Sequence, residues 1–106
     1  MTLDFLFIHP STHFKRPPTP QGADTLSYVV MPVGTLALAD LLLRNGFETR
    51  VVHTAIEQAV NPNFHLREVL TKYDPEFVGI DLHWYVHAYD AIRLAQQVHE
   101  LSSAQV

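Results

Sequence analysis

The chain has 106 residues, which is enough for one small domain. Its 47% hydrophobic and 17% charged residues exclude a disordered chain, because they provide enough apolar surface for a core. Seven basic against eleven acidic residues give a formal net charge of −4, which argues against a nucleic-acid partner. The absence of cysteine excludes a disulfide framework, a thiolate zinc site and a Cys-ligated iron–sulfur cluster. With no apolar run near 20 residues and no secretory signature in Met1–Ile8, we expect a cytoplasmic protein without membrane contact.

Three short apolar segments alternate with three helical patterns. The predicted strands are Leu3–Ile8, Glu48–His53 and Phe77–Leu82. The first predicted helix follows Pro32–Thr35 and ends at Asn45-Gly46. The second carries the apolar side chains Leu66, Val69, Leu70 and Tyr73, and the third runs from Ala88 to about Leu101. Between the first strand and the first helix, the proline-rich segment His9–Met31 is long for a connection and is predicted to be a loop at a ligand-binding edge.

This alternation predicts a parallel sheet with right-handed crossovers. We expect an α/β fold with a three-layer Rossmann-like or flavodoxin-like sheet of strand order 2-1-3, limited to three β-α units in a single domain, 1–106. The first helix is so apolar that we expect cover on most of its sides, whereas the polar tail Ser102–Val106 is expected to fray. The predicted core comprises Leu6, Ile8, Leu38, Leu42, Val51, Leu70, Val78, Ile80 and Leu94.

Histidines are concentrated where a parallel sheet binds ligands, outside the carboxyl ends of its strands. Five of the seven lie in or beside the segments His9–Met31, His53–Pro62 and His83–His87, whereas His65 and His99 are predicted to lie on helices away from that edge. Each strand-end histidine is compatible with a hydrogen bond to a loop carbonyl or with a functional role. The five are His9, His13, His53, His83 and His87.

Two further patterns at this edge leave alternatives open. His83 and His87 have the i,i+4 spacing of a zinc pair but lack the glutamate of the metalloprotease motif. The aromatic side chains of Trp84, Tyr85 and Tyr89 form either a packing cluster or a platform beside a planar ligand. The glycine motifs of dinucleotide sites and phosphate loops are absent from the sequence.

Four segments carry a family resemblance: FLFIHP, MPVGTLALADLLLRNGFETRVV, YDPEFVGIDL and AYDAIRLAQQVHE. In this order and spacing the chain resembles, from Leu3 to about Glu100, the N-terminal cobalamin-binding domain of cobalamin-dependent radical S-adenosylmethionine enzymes. The resemblance implies that cobalamin is held at the carboxyl edge and that these positions are not themselves catalytic. The implied cofactor-binding residues are His9, Pro10, Ser11, His13, Val33, Gly34, Asp81, Leu82, His83 and Trp84. At Gly34 the backbone can approach a ligand closely, and the helix N-terminus there is expected to favour a phosphate of the nucleotide tail.

The sequence also departs from that family. Asp81 and His83 stand where an S-x-L element holds the nucleotide tail, and the sequence ends before two further β-α units that help to enclose that tail. Without cysteine, the chain cannot hold the iron–sulfur cluster, so the cluster and S-adenosylmethionine belong only to a full-length relative with a C-terminal radical domain. We therefore expect weak or absent cobalamin binding and no catalysis by this chain alone.

A partner is expected as well, because the third strand would expose an unpaired apolar edge. This predicts a homodimer built across the third strand or the adjacent helix. The alternatives from other functional classes are an interaction module without cofactor and a small protein that binds a metal through its edge histidines.

Overall fold

A computed structural model describes residues 2–10, 32–82 and 88–106. In chain order the elements are β1 (Phe5–His9), α1 (Val33–Arg44), β2 (Thr49–His53), α2 (Thr54–Val60), α3 (Leu66–Tyr73), β3 (Phe77–Ile80) and α4 (Ala88–Leu101). The strands form one parallel sheet of order β2-β1-β3. The predicted Rossmann-like α/β fold and its strand order are confirmed. The loop segment 11–31 and the segment 83–87 lie outside the described residues.

The register of the sheet sorts its side chains onto two faces. Leu6 is aligned with Val78, and Ile8 is aligned with both Val52 and Ile80. Because successive side chains of a strand point to opposite faces, Phe5, Phe7 and His9 share the other face. The first strand is central, as its apolar sequence predicts.

The first of these faces forms the hydrophobic core with α3 and α4. Leu6 and Ile8 are fully buried there against Leu70, Leu94 and Val98. The prediction of a buried position is confirmed for Leu6, Ile8, Leu70, Val78 and Leu94, whereas Leu42, Val51 and Ile80 are half-buried. The prediction is wrong for Leu38, which is 45% exposed on α1.

Helix α1 is much less covered than its sequence predicts. Among its residues only Ala39 is buried. The exposed apolar side chains are those of Val33, Leu36, Leu38, Leu41 and Leu43. Within the described part of the chain α1 is the only helix on its face of the sheet, and a single helix resting on a sheet buries one narrow stripe. The expectation of cover on most sides is therefore wrong for the described residues.

The end of α1 is fixed by a hydrogen-bonded turn. Gly46 has a φ of +88°, and its N–H donates to the carbonyl of Leu43, while the N–H of Phe47 donates to that of Leu42. These two bonds form the Schellman motif that commonly ends a helix. The Asn45-Gly46 stop signal is confirmed.

A short helix, α2, occupies most of the segment His53–Pro62, which was expected to be a connecting edge segment. The ring nitrogen Nδ1 of His53 accepts a hydrogen bond from the N–H of Ile56 at 3.4 Å and so caps the helix. No glycine or proline interrupts Thr54–Val60, and the helix stops at Asn61 because the following Pro62 disfavours a helical residue before it.

The tail of the chain is paired rather than frayed. Gln105 forms a parallel bridge with Phe77: the N–H of Val78 donates to its carbonyl at 2.7 Å, and its own N–H donates to the carbonyl of Glu76 at 3.0 Å. Ala104 is buried in the core cluster and holds the tail there. The expectation of fraying is wrong, because one small apolar residue and two backbone bonds outweigh the polar composition of the tail.

Replacing Gln105 by proline tests this pairing. Proline removes the N–H that donates to Glu76, so we expect the free energy of unfolding in urea to fall by about 1 kcal/mol. The matched change Gln105→Ala keeps the backbone donor and should stay within about 0.5 kcal/mol of the unchanged protein. Equal effects of the two substitutions would contradict the pairing.

Candidate functional site at the carboxyl edge

Three polar side chains end the three strands in one row. His9 is aligned with His53 across β1 and β2, and Asp81 directly follows the last paired residue of β3. All three lie on the sheet face that carries α1. In the order β2-β1-β3 the chain changes direction across the sheet between β1 and β3, so the switch point lies between His9 and Asp81.

The imidazole of His9 and the carboxylate of Asp81 form a close pair. The Nδ1–H of His9 donates to Asp81, with Nδ1 lying 2.7 Å from Oδ1 and 2.8 Å from Oδ2. The side chain of His9 is 3% exposed and that of Asp81 is 17% exposed. Because a carboxylate oxygen only accepts, this contact fixes which nitrogen of His9 carries the hydrogen and how the ring is turned.

Further hydrogen bonds connect this pair to the helices. The hydroxyl of Thr35, in the first turn of α1, donates to Oδ2 of Asp81 at 3.0 Å. The hydroxyl of Thr54, at the start of α2, donates to the backbone carbonyl of His9 at 2.7 Å. The ring of His53 lies against that of His9, with centroids 4.6 Å apart. The network therefore fixes the ends of two helices to the edge, and the buried His9 positions that edge rather than offering surface to a ligand.

The predicted binding residues fall into three groups. His9 and Asp81 are brought into direct contact, and Pro10, which follows His9 in the chain, is buried. Val33, Gly34 and Leu82 are exposed next to the network, since Gly34 precedes Thr35 and Leu82 follows Asp81. The remaining four, Ser11, His13, His83 and Trp84, lie outside the described residues.

Gly34 has no structural reason to be glycine within the described part of the chain. A Cβ atom built on it would meet no described atom within 4 Å, and its φ is not positive. Among the described residues, neither packing nor backbone conformation therefore requires glycine at this position. Glycine at this position leaves the helix backbone open to close approach.

A cavity of about 670 Å³ opens on the opposite side of the sheet, between α2, α3 and α4. It reaches Pro10 and Thr54 at the carboxyl edge and His65 at the start of α3, although the sequence placed His65 away from that edge. Its charged lining is mixed and comprises Arg67, Glu68, Asp90, Arg93 and Glu100. Sequence reasoning missed this cavity, because α4 is separated from α2 and α3 along the chain by the strand β3.

The sequence also missed the roles of Thr35 and Thr54. The usable signal was positional, since a hydroxyl in the first turn of a helix that starts at the carboxyl edge can reach a strand-end side chain.

In residues 2–10, 32–82 and 88–106 no three histidine, aspartate or glutamate side chains are grouped so that they could hold a metal ion. Over the same ranges, no helix has the length and apolar character needed to cross a membrane.

No protein-family model matches the chain, and no curated protein or solved structure matches it significantly. The resemblance to cobalamin-binding domains therefore rests on the sequence segments quoted above.

Proposed function

We propose that this chain is a cobalamin-binding module of the kind found at the N-terminus of cobalamin-dependent radical S-adenosylmethionine enzymes. It is not catalytic alone, and the radical domain with its cluster and S-adenosylmethionine would be a separate partner. The observation that carries the proposal is the open glycine at the switch point. Gly34 lies in the first turn of α1 directly before Thr35, which is hydrogen-bonded to Asp81, and no described atom lies within 4 Å of a Cβ built on Gly34. The cytoplasmic location expected from the sequence belongs to the same proposal.

The exposed residues at this edge fit one side of a large, flat, mostly apolar ring system. Val33 and Leu82 provide apolar surface, and Gly34 allows close approach of the helix backbone. When bound, cobalamin supplies alkyl-transfer chemistry at its cobalt. In the complex, this chain would hold one side of the ring and keep water from it. The His9–Asp81–Thr35 network would keep α1 and β3 in a fixed relation.

The same network bears on the charge and the metal of the cofactor. The side chain of His9 is 3% exposed, so burial keeps its ring away from a cofactor at the exposed edge. The carboxylate of Asp81 also lies beside the first turn of α1, where it already compensates the positive end of the helix dipole. A phosphate of the nucleotide tail is therefore better accommodated away from Asp81 than at the start of α1, where the sequence led us to expect it.

Titration of the protein with hydroxocobalamin, followed by calorimetry and visible absorption, tests the proposal. We expect saturable binding with a Kd above about 1 µM, because the exposed surface of Val33, Gly34 and Leu82 covers only one side of the ligand. His9→Ala should leave the absorption spectrum of the bound cofactor unchanged. Absence of saturation at about 1 mM hydroxocobalamin would contradict the proposal.

A pair of glycine substitutions separates binding from stability. Gly34→Ala should raise the free energy of unfolding by about 0.4–1 kcal/mol, because alanine fits a helix without strain. It should nevertheless weaken cobalamin binding by about tenfold or more, equivalent to about 1.4 kcal/mol, since the new methyl group occupies the approach to the backbone. Both effects are read from urea unfolding and from the same titration.

The matched control is Gly46→Ala at the other end of α1. Its φ of +88° strains any other residue, so the protein should lose about 1 kcal/mol of stability. Binding to the folded protein should not change, because Gly46 lies beyond the C-terminal end of α1, whereas the carboxyl edge of the sheet lies at its N-terminal end. Equal weakening of cobalamin binding by both substitutions would point to a general loss of structure and against a binding surface formed by Val33, Gly34 and Leu82.

A further inference from the structure

The pair Asn45-Gly46 that ends α1 is chemically reactive as well as structural. The side-chain amide of an asparagine can be attacked at Cγ by the backbone nitrogen of the next residue, and glycine hinders this attack least because it has no Cβ. Asparagine is for this reason one of the thermolabile residues of proteins. Both Asn45 and Gly46 are exposed, so solvent reaches them. A covalent change of the chain is therefore chemically accessible at the end of α1.

The reaction replaces the amide of Asn45 in two steps. In the first, the backbone nitrogen of Gly46 loses its proton and forms a bond to Cγ of Asn45, the bond between Cγ and Nδ2 breaks, and Nδ2 leaves with a proton as ammonia. The product is a cyclic imide, a succinimide. In the second step, water adds to either carbonyl carbon of the imide and breaks its bond to nitrogen, which gives aspartate or isoaspartate. The sum is an exchange of ammonia for water, so neither an oxidant nor a reductant is needed.

The hydrogen-bonded turn at the end of α1 holds both reacting groups out of position. The N–H of Gly46 donates to the carbonyl of Leu43 at 3.1 Å, and this bond must break before the nitrogen can react. The Nδ2 of Asn45 donates to the carbonyl of Leu41 at 2.8 Å, which directs the amide back along the helix. The ψ of Asn45 is 13°, so the nitrogen of Gly46 lies beside the backbone nitrogen of Asn45, whereas closure of the imide ring needs it beside Cβ. Ring closure therefore requires that the turn opens.

We propose that Asn45 is a site of succinimide formation that this turn keeps unreactive, so that conversion to aspartate or isoaspartate follows opening of the end of α1. The rate in the folded protein is then the rate in an open chain multiplied by the fraction of molecules whose turn is open. Helix ends open locally at a lower free energy than the core does. Among the residues of α1 only Ala39 is buried, so this opening does not require the whole domain to unfold.

The product cannot close the same turn. Isoaspartate carries the main chain through Cβ and so adds one backbone atom inside the hydrogen-bonded turn. Aspartate lacks the Nδ2 donor that reaches Leu41, and it places a negative charge at the C-terminal end of the helix, where the helix dipole disfavours it. Because the ammonia is lost, the change is not reversed when the chain refolds. Each conversion therefore leaves the last turn of α1 less stable than before.

Peptide mass spectrometry of the full chain, incubated at one mildly alkaline pH in buffer and in guanidinium chloride, tests the proposal. In denaturant Asn45 should convert first. The other two asparagines are internal controls, because the nitrogen after Asn61 belongs to Pro62 and has no proton to lose, and the nitrogen after Asn63 is hindered by the side chain of Phe64. In buffer Asn45 should convert at least about tenfold more slowly than in denaturant.

A matched pair of substitutions shows whether the turn itself provides the protection. Phe47→Pro and Phe47→Ala both remove the ring that contacts Phe5, but only proline removes the N–H that donates to Leu42. In buffer, Asn45 should convert about fivefold faster in Phe47→Pro than in Phe47→Ala, as expected for the loss of one hydrogen bond, and the two should convert alike in denaturant. Circular dichroism confirms that both variants are folded.

If Phe47→Pro does not fold, the comparison of the unchanged protein in buffer and in denaturant still decides. Conversion of Asn45 in buffer as fast as in denaturant, or no conversion of Asn45 in denaturant, would overturn the proposal. Equal rates in folded Phe47→Pro and folded Phe47→Ala would overturn it as well, because the turn would then give no protection.

Discussion

Replacing Asp81 by leucine is expected to lower the free energy of unfolding by about 2–4 kcal/mol. The substitution leaves the buried Nδ1–H of His9 and the hydroxyl of Thr35 without their shared acceptor. A buried donor without a partner loses its hydration and gains nothing in return. Urea unfolding followed by circular dichroism measures the loss.

Two comparisons show whether the loss comes from the pair itself. The exposed carboxylate of Asp40 contacts Arg44 on the surface of α1, and Asp40→Leu should cost less than about 0.5 kcal/mol. The double change of Asp81→Leu with His9→Phe should cost at least about 1 kcal/mol less than the sum of the two single changes, because it removes both members of the contact. Simple additivity would contradict the direct coupling of His9 with Asp81.

Leu6→Ala is expected to destabilise the protein by about 2–5 kcal/mol. Leu6 is fully buried in the central strand, where it belongs to the cluster that joins the sheet to α3 and α4. Truncation leaves a cavity that the surrounding strands and helices cannot fill by moving inwards. The strands on both sides of β1 are held in place by the backbone hydrogen bonds of the sheet. For a small domain this is a large fraction of the total stability of about 5–15 kcal/mol.

The corresponding change on α1 should have a much smaller effect. Leu43→Ala removes the same atoms from an exposed position, so a loss below about 1 kcal/mol is expected in the same measurement. A loss at Leu43 as large as that at Leu6 would mean that α1 is buried against something, which the described residues do not show.

The order of the sheet was predictable because alternation and apolarity both indicate it. An apolar first strand, crossovers of sufficient length and the right-handed rule leave few arrangements, and the order β2-β1-β3 is among them. The same register brings the last residues of the strands together, so the meeting of His9 and Asp81 at the carboxyl edge followed from their positions. Their direct hydrogen bond, and the part of Thr35 in it, depends on side-chain geometry that a pattern does not encode.

Helix α1 shows the opposite case. Its leucines predict burial, yet burial depends on what lies across from each face, and within the described residues one face of the sheet lacks a second helix. Composition indicates that a surface is apolar without indicating what covers it. The prediction for the tail failed for a related reason. Its polar composition does not indicate that the backbone of Gln105 pairs with the outer edge of β3.

The central position of β1 has a consequence for the synthesis of the chain. During translation β1 emerges before either of its sheet neighbours, and the 39 residues between His9 and Thr49 must follow before β2 can pair with it. At about 5–20 residues per second this takes roughly 2–8 s. Throughout that time the segment Phe5–His9 exposes both of its edges and its aromatic side chains, so the nascent chain carries an unpaired apolar strand that is open to aggregation.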